Sequence, residues 1–153
     1  MEAAKTKMNP GTELKSVGPT PRLVGEVMTR EIKTLTPDQS FTDVVRLLAG
    51  NNFHHIVIAV NGYLMGMLSN RDVYRQLGRV SDWSAKKVGE IMITNALTTT
   101  PETLLSEAAE QMLSRRVDCL PVITQAGKLV GLLTSSDIMR LFKALHLQLE
   151  AEL

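Results

Sequence analysis

Two stretches of the chain carry apolar residues at helical spacing: Phe41, Val44, Val45 and Leu48, and again Leu105, Ala108, Ala109 and Met112. Positions i, i+3, i+4 and i+7 share one face of an α-helix, so each stretch predicts an amphipathic helix with one buried side. Downstream of each helix the pattern changes. Ile56–Val60 (IVIAV) and Leu120–Thr124 (LPVIT) are short apolar runs rich in β-branched residues and predict strands. Asn61-Gly62 turns the first tightly into Tyr63–Leu68, and Gln125-Ala126-Gly127, one residue longer, turns the second into Lys128–Leu133. A second helix then follows in each case, over Val73–Leu77 with Gly78 as its stop, and from Ile138 onward.

The same order of elements is written twice. Val24–Thr29 (VGEVMT) returns as Val88–Ile93 (VGEIMI), and Thr36-Pro37 as Thr100-Pro101, both 64 positions later. Gly66–Asp72 (GMLSNRD) returns as Gly131–Asp137 (GLLTSSD) 65 positions later, the longer turn supplying the extra residue. Each copy predicts a β-α-β-β-α unit. The copies run over 23–79 and 87–143, with a linker at 80–86 and a helical extension over 144–153. A unit of fewer than 60 residues buries too little apolar surface to stand alone, so the two are expected to pack face to face as one module. Duplication makes that packing pseudo-twofold, with Met28 and Met92 in equivalent places. The expected fold class is α/β, in the α+β sense. Residues 1–22 hold Pro10, Pro19 and Pro21 among few apolar residues and are expected to be flexible.

Composition narrows the function classes. The chain has 153 residues, 44% hydrophobic and 22% charged, the balance of a soluble globular domain. Lys and Arg total 17 against 16 Asp and Glu, without the clustered basic excess of a nucleic-acid binder, and Arg115-Arg116 is too short to make one. Cys119 is the single cysteine, so an intrachain disulfide is impossible and a reducing, cytoplasmic setting is expected. No apolar run approaches the roughly 20 residues that span a bilayer, and the first residues lack a secretory apolar region, so no membrane partner is expected.

The repeated motif has two readings. Ser69 with Asp72, and Thr134 with Asp137, have the spacing of a capping box, which satisfies backbone N–H groups at a helix start without any ligand. The same geometry suits a ligand. A helix N-terminus offers unpaired N–H groups and a positive dipole end to a phosphate, and a carboxylate there can accept from both hydroxyls of a ribose. Gly66 and Gly131 admit close approach by a ligand or by a neighbouring strand. Other constellations carry less. His54 and His55 are adjacent on a strand and face opposite ways, and with His146 and Cys119 they lack metal-ligand spacing, so no metal site is expected. Ser69, His55 and Asp72 lack the nucleophile elbow of a hydrolase, so neither an enzyme activity nor a catalytic cofactor is expected.

The order V-G-E-x-M, T-x-T-P, amphipathic helix, strand–turn–strand and G-h-h-S/T-x-x-D resembles the CBS (cystathionine-β-synthase) domain. Two in tandem resemble a CBS pair, or Bateman module. The resemblance covers about 120 residues and is carried independently by each half. It implies a regulatory or sensor module whose clefts, set around a pseudo-twofold axis, bind AMP, ADP, ATP or S-adenosylmethionine. It also implies a homodimer and an unidentified regulated protein as partners.

Residue by residue, the resemblance implies that Asp72 and Asp137 hold ribose and that Ser69 and Thr134 contact phosphate or sugar. Arg71 and Ser136, just before each aspartate, are implied at the ligand, with Gly66 and Gly131 beneath it. Thr34, Thr36, Thr98 and Thr100, on the first strands, are implied at the adenine. The family's basic, apolar, Pro-Val element reads HHIVI in the first copy, with His54-His55 at the basic pair and Val57 in place of proline. The second reads DCLPV, keeping Pro121 but placing Asp118-Cys119 at the basic pair. Asp118 is expected to disfavour a polyphosphate in the second cleft, leaving Asp72 in the stronger one. The rival reading is a ligand-free dimerisation and interaction module. It is carried by the stripe Ile138, Phe142, Leu145 and Leu149, expected to be buried partly by a second chain.

Overall fold

The computed structural model describes residues 20–51 and 54–153, so the expectation of a flexible segment over 1–22 lies almost wholly outside the described residues. The first copy supplies α1 (Val24–Val27), β1 (Thr34–Leu35), α2 (Phe41–Ala49), β2 (His55–Val60), β3 (Tyr63–Ser69) and α3 (Asn70–Leu77). The second supplies a 3-10 turn (Val88–Glu90), α4 (Leu105–Arg115), β4 (Cys119–Ile123), β5 (Leu129–Thr134) and α5 (Ser135–Ala151). Strands β1, β2 and β3 form one sheet in that order, and β4 and β5 form another. The β2–β3 turn is tight because Asn61 and Gly62 both take positive φ, 52° and 83°, as a two-residue hairpin of the favoured twist requires.

One expected strand is reduced to a single bridge. Around Thr98–Thr100, Thr99 alone pairs, in parallel with Val122, through Thr99 N to Pro121 O at 3.0 Å and Ile123 N to Thr99 O at 2.9 Å. This is the counterpart of Leu35 opposite Ile58. The adjoining pair in the first copy is Thr34 opposite Val57, whose counterpart is Pro121. Proline has no N–H to extend the ladder, so the strand stops there.

The opening segment of each copy packs into the core of the other. Val24, Val27 and Met28 join Ala108, Met112, Leu120 and Leu133, while Val88, Ile91 and Met92 join Phe41, Val44, Ile56 and Leu68. The bonds that dock these segments are mirrored. Gly25 N donates to Pro101 O at 2.9 Å and Gly89 N to Pro37 O at 2.8 Å. Thr29 bridges Leu132 just as Ile93 bridges Met67. Gly66 and Gly131 lie where the crossing segments pass: a Cβ on Gly66 would stand 2.8 Å from Ile93 O, and one on Gly131 2.5 Å from Met28 Sδ. Met28 and Met92 thus occupy equivalent places, each over the other copy's glycine. A third apolar cluster of Val57, Met67, Cys119 and Leu132 closes the seam between the sheets.

On α5, Ile138 and Leu141 pack on the second core, whereas Phe142 and Leu149 are exposed. Of the expected stripe, Ile138 and Leu145 are half-buried within the chain itself, and Phe142 and Leu149 lie open. Among the described residues no helix is long and apolar enough to cross a membrane.

Candidate functional site

Both repeated motifs fold as capping boxes. Ser69 N and Ser69 Oγ donate to Asp72 Oδ2 at 2.9 and 2.8 Å, and Asp72 N donates back to Ser69 Oγ at 3.1 Å. Thr134 and Asp137 repeat the pattern at 2.9, 3.0 and 3.2 Å. Each cap uses only Oδ2, so the fate of Oδ1 separates the two copies. Asp137 Oδ1 accepts from Thr29 Oγ1 at 3.1 Å and from Arg140 Nη1 at 3.3 Å, and the residue is 0% exposed. Burial raises its carboxyl above the ordinary range, against the lowering by these hydrogen bonds. Asp72 is half-buried, and no described residue hydrogen-bonds its Oδ1. Its counterpart of Thr29 is Ile93, which has no hydroxyl, and its counterpart of Arg140 is Arg75, which leaves it unpaired.

Asp72 opens on a cleft of about 600 Å³ between the copies, large enough for a small ligand. The first copy lines it with His54, His55, Met67, Ser69, Asn70, Arg71, Asp72 and Arg75. The second adds Ile93, Ala96, Leu97, Arg116, Val117, Asp118 and Cys119. The start of α3, with its positive dipole end, thus meets the cleft where Arg71 and Arg75 add charge. Ile93, Ala96, Leu97 and Val117 supply an apolar side.

Among the sequence candidates, Ser69, Arg71, Asp72, His54 and His55 line this cleft. The others lie elsewhere. Thr34 is exposed on β1, and Thr36 Oγ1 is turned to Asp38 at 2.6 Å. Thr98 is half-buried beside the lining residue Leu97, and Thr100 Oγ1 pairs with Thr103 at 2.8 Å. Val57, Pro121, Gly66 and Gly131 are buried in the strands. Thr134 and Ser136 surround the closed Asp137, half-buried and exposed respectively.

The expected placement of Asp118 is corrected. It lines the Asp72 cleft, where its Oδ1 is 2.9 Å from His55 Nε2. The two copies' basic-pair positions meet across the seam, so Asp118 is an acceptor for His55 and not an isolated charge in another cleft. Burial holds the His55 imidazole below its ordinary value, outweighing the attraction of Asp118. The neutral ring is therefore the N–H donor. Burial likewise pushes the Cys119 thiol up, so it stays protonated. Arg75 and Arg116 escaped the sequence reading. Arg75 was signalled by lying one helical turn after Arg71, but Arg116 reaches the cleft only through the packing of the second copy.

Comparison with known proteins gives the same outline. A family model described as the CBS domain matches residues 24–79 and again 88–144. The solved structure of a Vibrio cholerae protein assigned to acetoin utilization (AcuB) is 30% identical, with a TM-score of 0.75 over 86% of this chain and 96% of that one. The cytosolic domain of the Mg2+ channel MgtE, solved in complex with ATP, is 26% identical, with a TM-score of 0.66 over 78% of this chain and 48% of that one. The CBS domain pair of protein MJ0100, solved with 5′-methylthioadenosine and S-adenosyl-L-methionine, is 26% identical, with a TM-score of 0.66 over 82% and 98%. The chain spans 24%, 47% and 22% of the length of the first curated relatives it matches.

Proposed function

The chain belongs to the CBS domain family, carrying two CBS domains in tandem, and from that premise we propose that it is a regulatory module binding an adenosine-containing ligand in the Asp72 cleft. The observation that carries this reading is the Oδ1 of Asp72, without a hydrogen-bond partner among the described residues, at the start of α3 inside a cleft of about 600 Å³. The cap already fixes the carboxylate, so the ribose hydroxyls meet an acceptor that needs no reorientation. Phosphate lies at the positive end of α3 against Arg71, and adenine against Ile93, Ala96 and Leu97. Two related proteins were solved with ATP and with S-adenosyl-L-methionine, which supports an adenosine ligand. Because Asp137 is closed by Thr29 and Arg140, binding centres on Asp72.

Thermal unfolding with and without AMP, ATP and S-adenosylmethionine tests this. A ligand that binds only the native state adds RT ln(1 + [L]/Kd), about 2.7 kcal/mol at one hundred times Kd. No rise in the midpoint with any of the three would overturn the reading.

A second reading is favoured by α5. Met139, Phe142 and Leu149 are 64%, 55% and 58% exposed on one stripe, beside the packed Ile138 and Leu141. In this reading a second copy covers them, and the module acts as a homodimer. Light scattering is expected to give a dimer mass that Met139→Glu with Phe142→Glu converts to monomer. A wild-type monomer refutes it.

A further inference from the structure

Arg116 ends α4 in the left-handed region, at φ 53° and ψ 43°. Apart from Asn61, it is the only non-glycine residue with positive φ among those described. Glycine or asparagine is the ordinary choice at such a helix end, because a Cβ crowds the backbone there. The helix termination itself asks nothing of an arginine. The backbone does the work, through Arg116 N to Leu113 O at 3.4 Å and Val117 N to Met112 O at 3.0 Å. The side chain makes no hydrogen bond or ion pair with any described residue, yet it lines the Asp72 cleft from the second copy.

The cleft's charges say what it would meet there. Asp72 and Asp118 accept from Ser69 and from neutral His55 and keep their charge, against which the lining sets three guanidiniums. Arg71, Arg75 and Arg116 have no anionic partner among the described residues. A single phosphate is served by the start of α3 with Arg71. Guanidiniums contributed by both copies suit a longer anionic chain, while a sulfonium would be repelled.

We propose that Arg116 is a specificity-determining residue that binds the distal phosphates of a nucleoside di- or triphosphate across the seam. The cleft thereby selects polyphosphate nucleotides over AMP, adenosine and S-adenosylmethionine. This rests on the nucleotide reading of the Asp72 cleft.

Calorimetric titration of the full chain with ATP, ADP, AMP, adenosine and S-adenosylmethionine tests it, using wild type, Arg116→Gly, Arg115→Ala and Asp72→Asn. Arg115→Ala removes the same charge one residue away, outside the lining. Wild type binds ATP and ADP more tightly than the other three. Arg116→Gly melts no lower than wild type without ligand, since glycine relieves the positive φ, yet binds ATP at least about tenfold more weakly with adenosine unchanged. Equal losses of ATP affinity in Arg116→Gly and Arg115→Ala, or no loss in Arg116→Gly, would overturn the assignment of Arg116 alone. Failure of the wild type to bind any of the five, or binding indifferent to Asp72→Asn, would bring down the nucleotide reading itself.

Discussion

Thr29 Oγ1 donates a hydrogen bond to Asp137 Oδ1 at 3.1 Å, joining the start of one CBS domain to the helix cap of the other. Its counterpart at the second crossing is Ile93, so Asp72 keeps the oxygen that Asp137 has spent. Thr29 is 4% exposed and Thr29→Val preserves its shape while removing the donor. The variant is expected to lose about 1.5–3 kcal/mol of unfolding free energy, the range for a hydrogen bond to a charged group. Urea denaturation reads this directly, and a midpoint unchanged from wild type would sink the role given to Thr29. The reverse exchange, Ile93→Thr, offers Asp72 an internal partner and is expected to weaken nucleotide binding.

The second copy carries a buried defect at the place where its first strand is cut short. Thr99 is 5% exposed, and its hydroxyl has no hydrogen-bond partner among the described residues, whereas its counterpart Leu35 lies in the apolar core. Removing an unsatisfied buried hydroxyl without changing shape recovers about 1–3 kcal/mol. Thr99→Val is therefore expected to raise the thermal midpoint. A lower midpoint would show that the hydroxyl has a partner in solution.

The burial of His55 sets a pH dependence, which its contact with Asp118 opposes. Burial depresses the His55 pKa in the fold below its ordinary value near 6.5. A depressed folded value means that the unfolded chain binds the proton first. The contribution of neutral His55 to stability is then complete above pH 6.5 and is lost as pH falls through the folded value. Proton NMR is expected to find His55 titrating below 6.5, and lower still in Asp118→Asn, which removes the attraction raising it. A titration above 6.5 would refute this.

Most of the fold could be read from the chain because its signals are local and written twice. The helix faces of Phe41 and Leu105, the Asn61-Gly62 turn and both capping boxes depend on residues within a few positions of one another. What was not legible depends on packing across the seam. Nothing near Asp118 in the sequence says that it meets His55, and nothing near Asp137 says that Thr29 closes it. The exchange of opening segments between cores is silent for the same reason, since Val24 and Val88 are equally apolar wherever they pack. Pro121 did carry a signal, because a proline in a strand pattern limits its pairing.

If Asp72 grips a ribose, varying both sides of that contact reveals it. Calorimetric titration of wild type and Asp72→Asn with ATP and with 2′-deoxy-ATP compares the carboxylate with the hydroxyl it is assigned. Wild type is expected to prefer ATP, and Asp72→Asn to lose about 10- to 150-fold in ATP affinity, the equivalent of one charge-assisted hydrogen bond of about 1.5–3 kcal/mol. In the variant the two nucleotides should then bind nearly alike. A wild type that binds them equally, or a variant that keeps the full preference for ATP, would contradict the account and leave Asp72 as a helix cap.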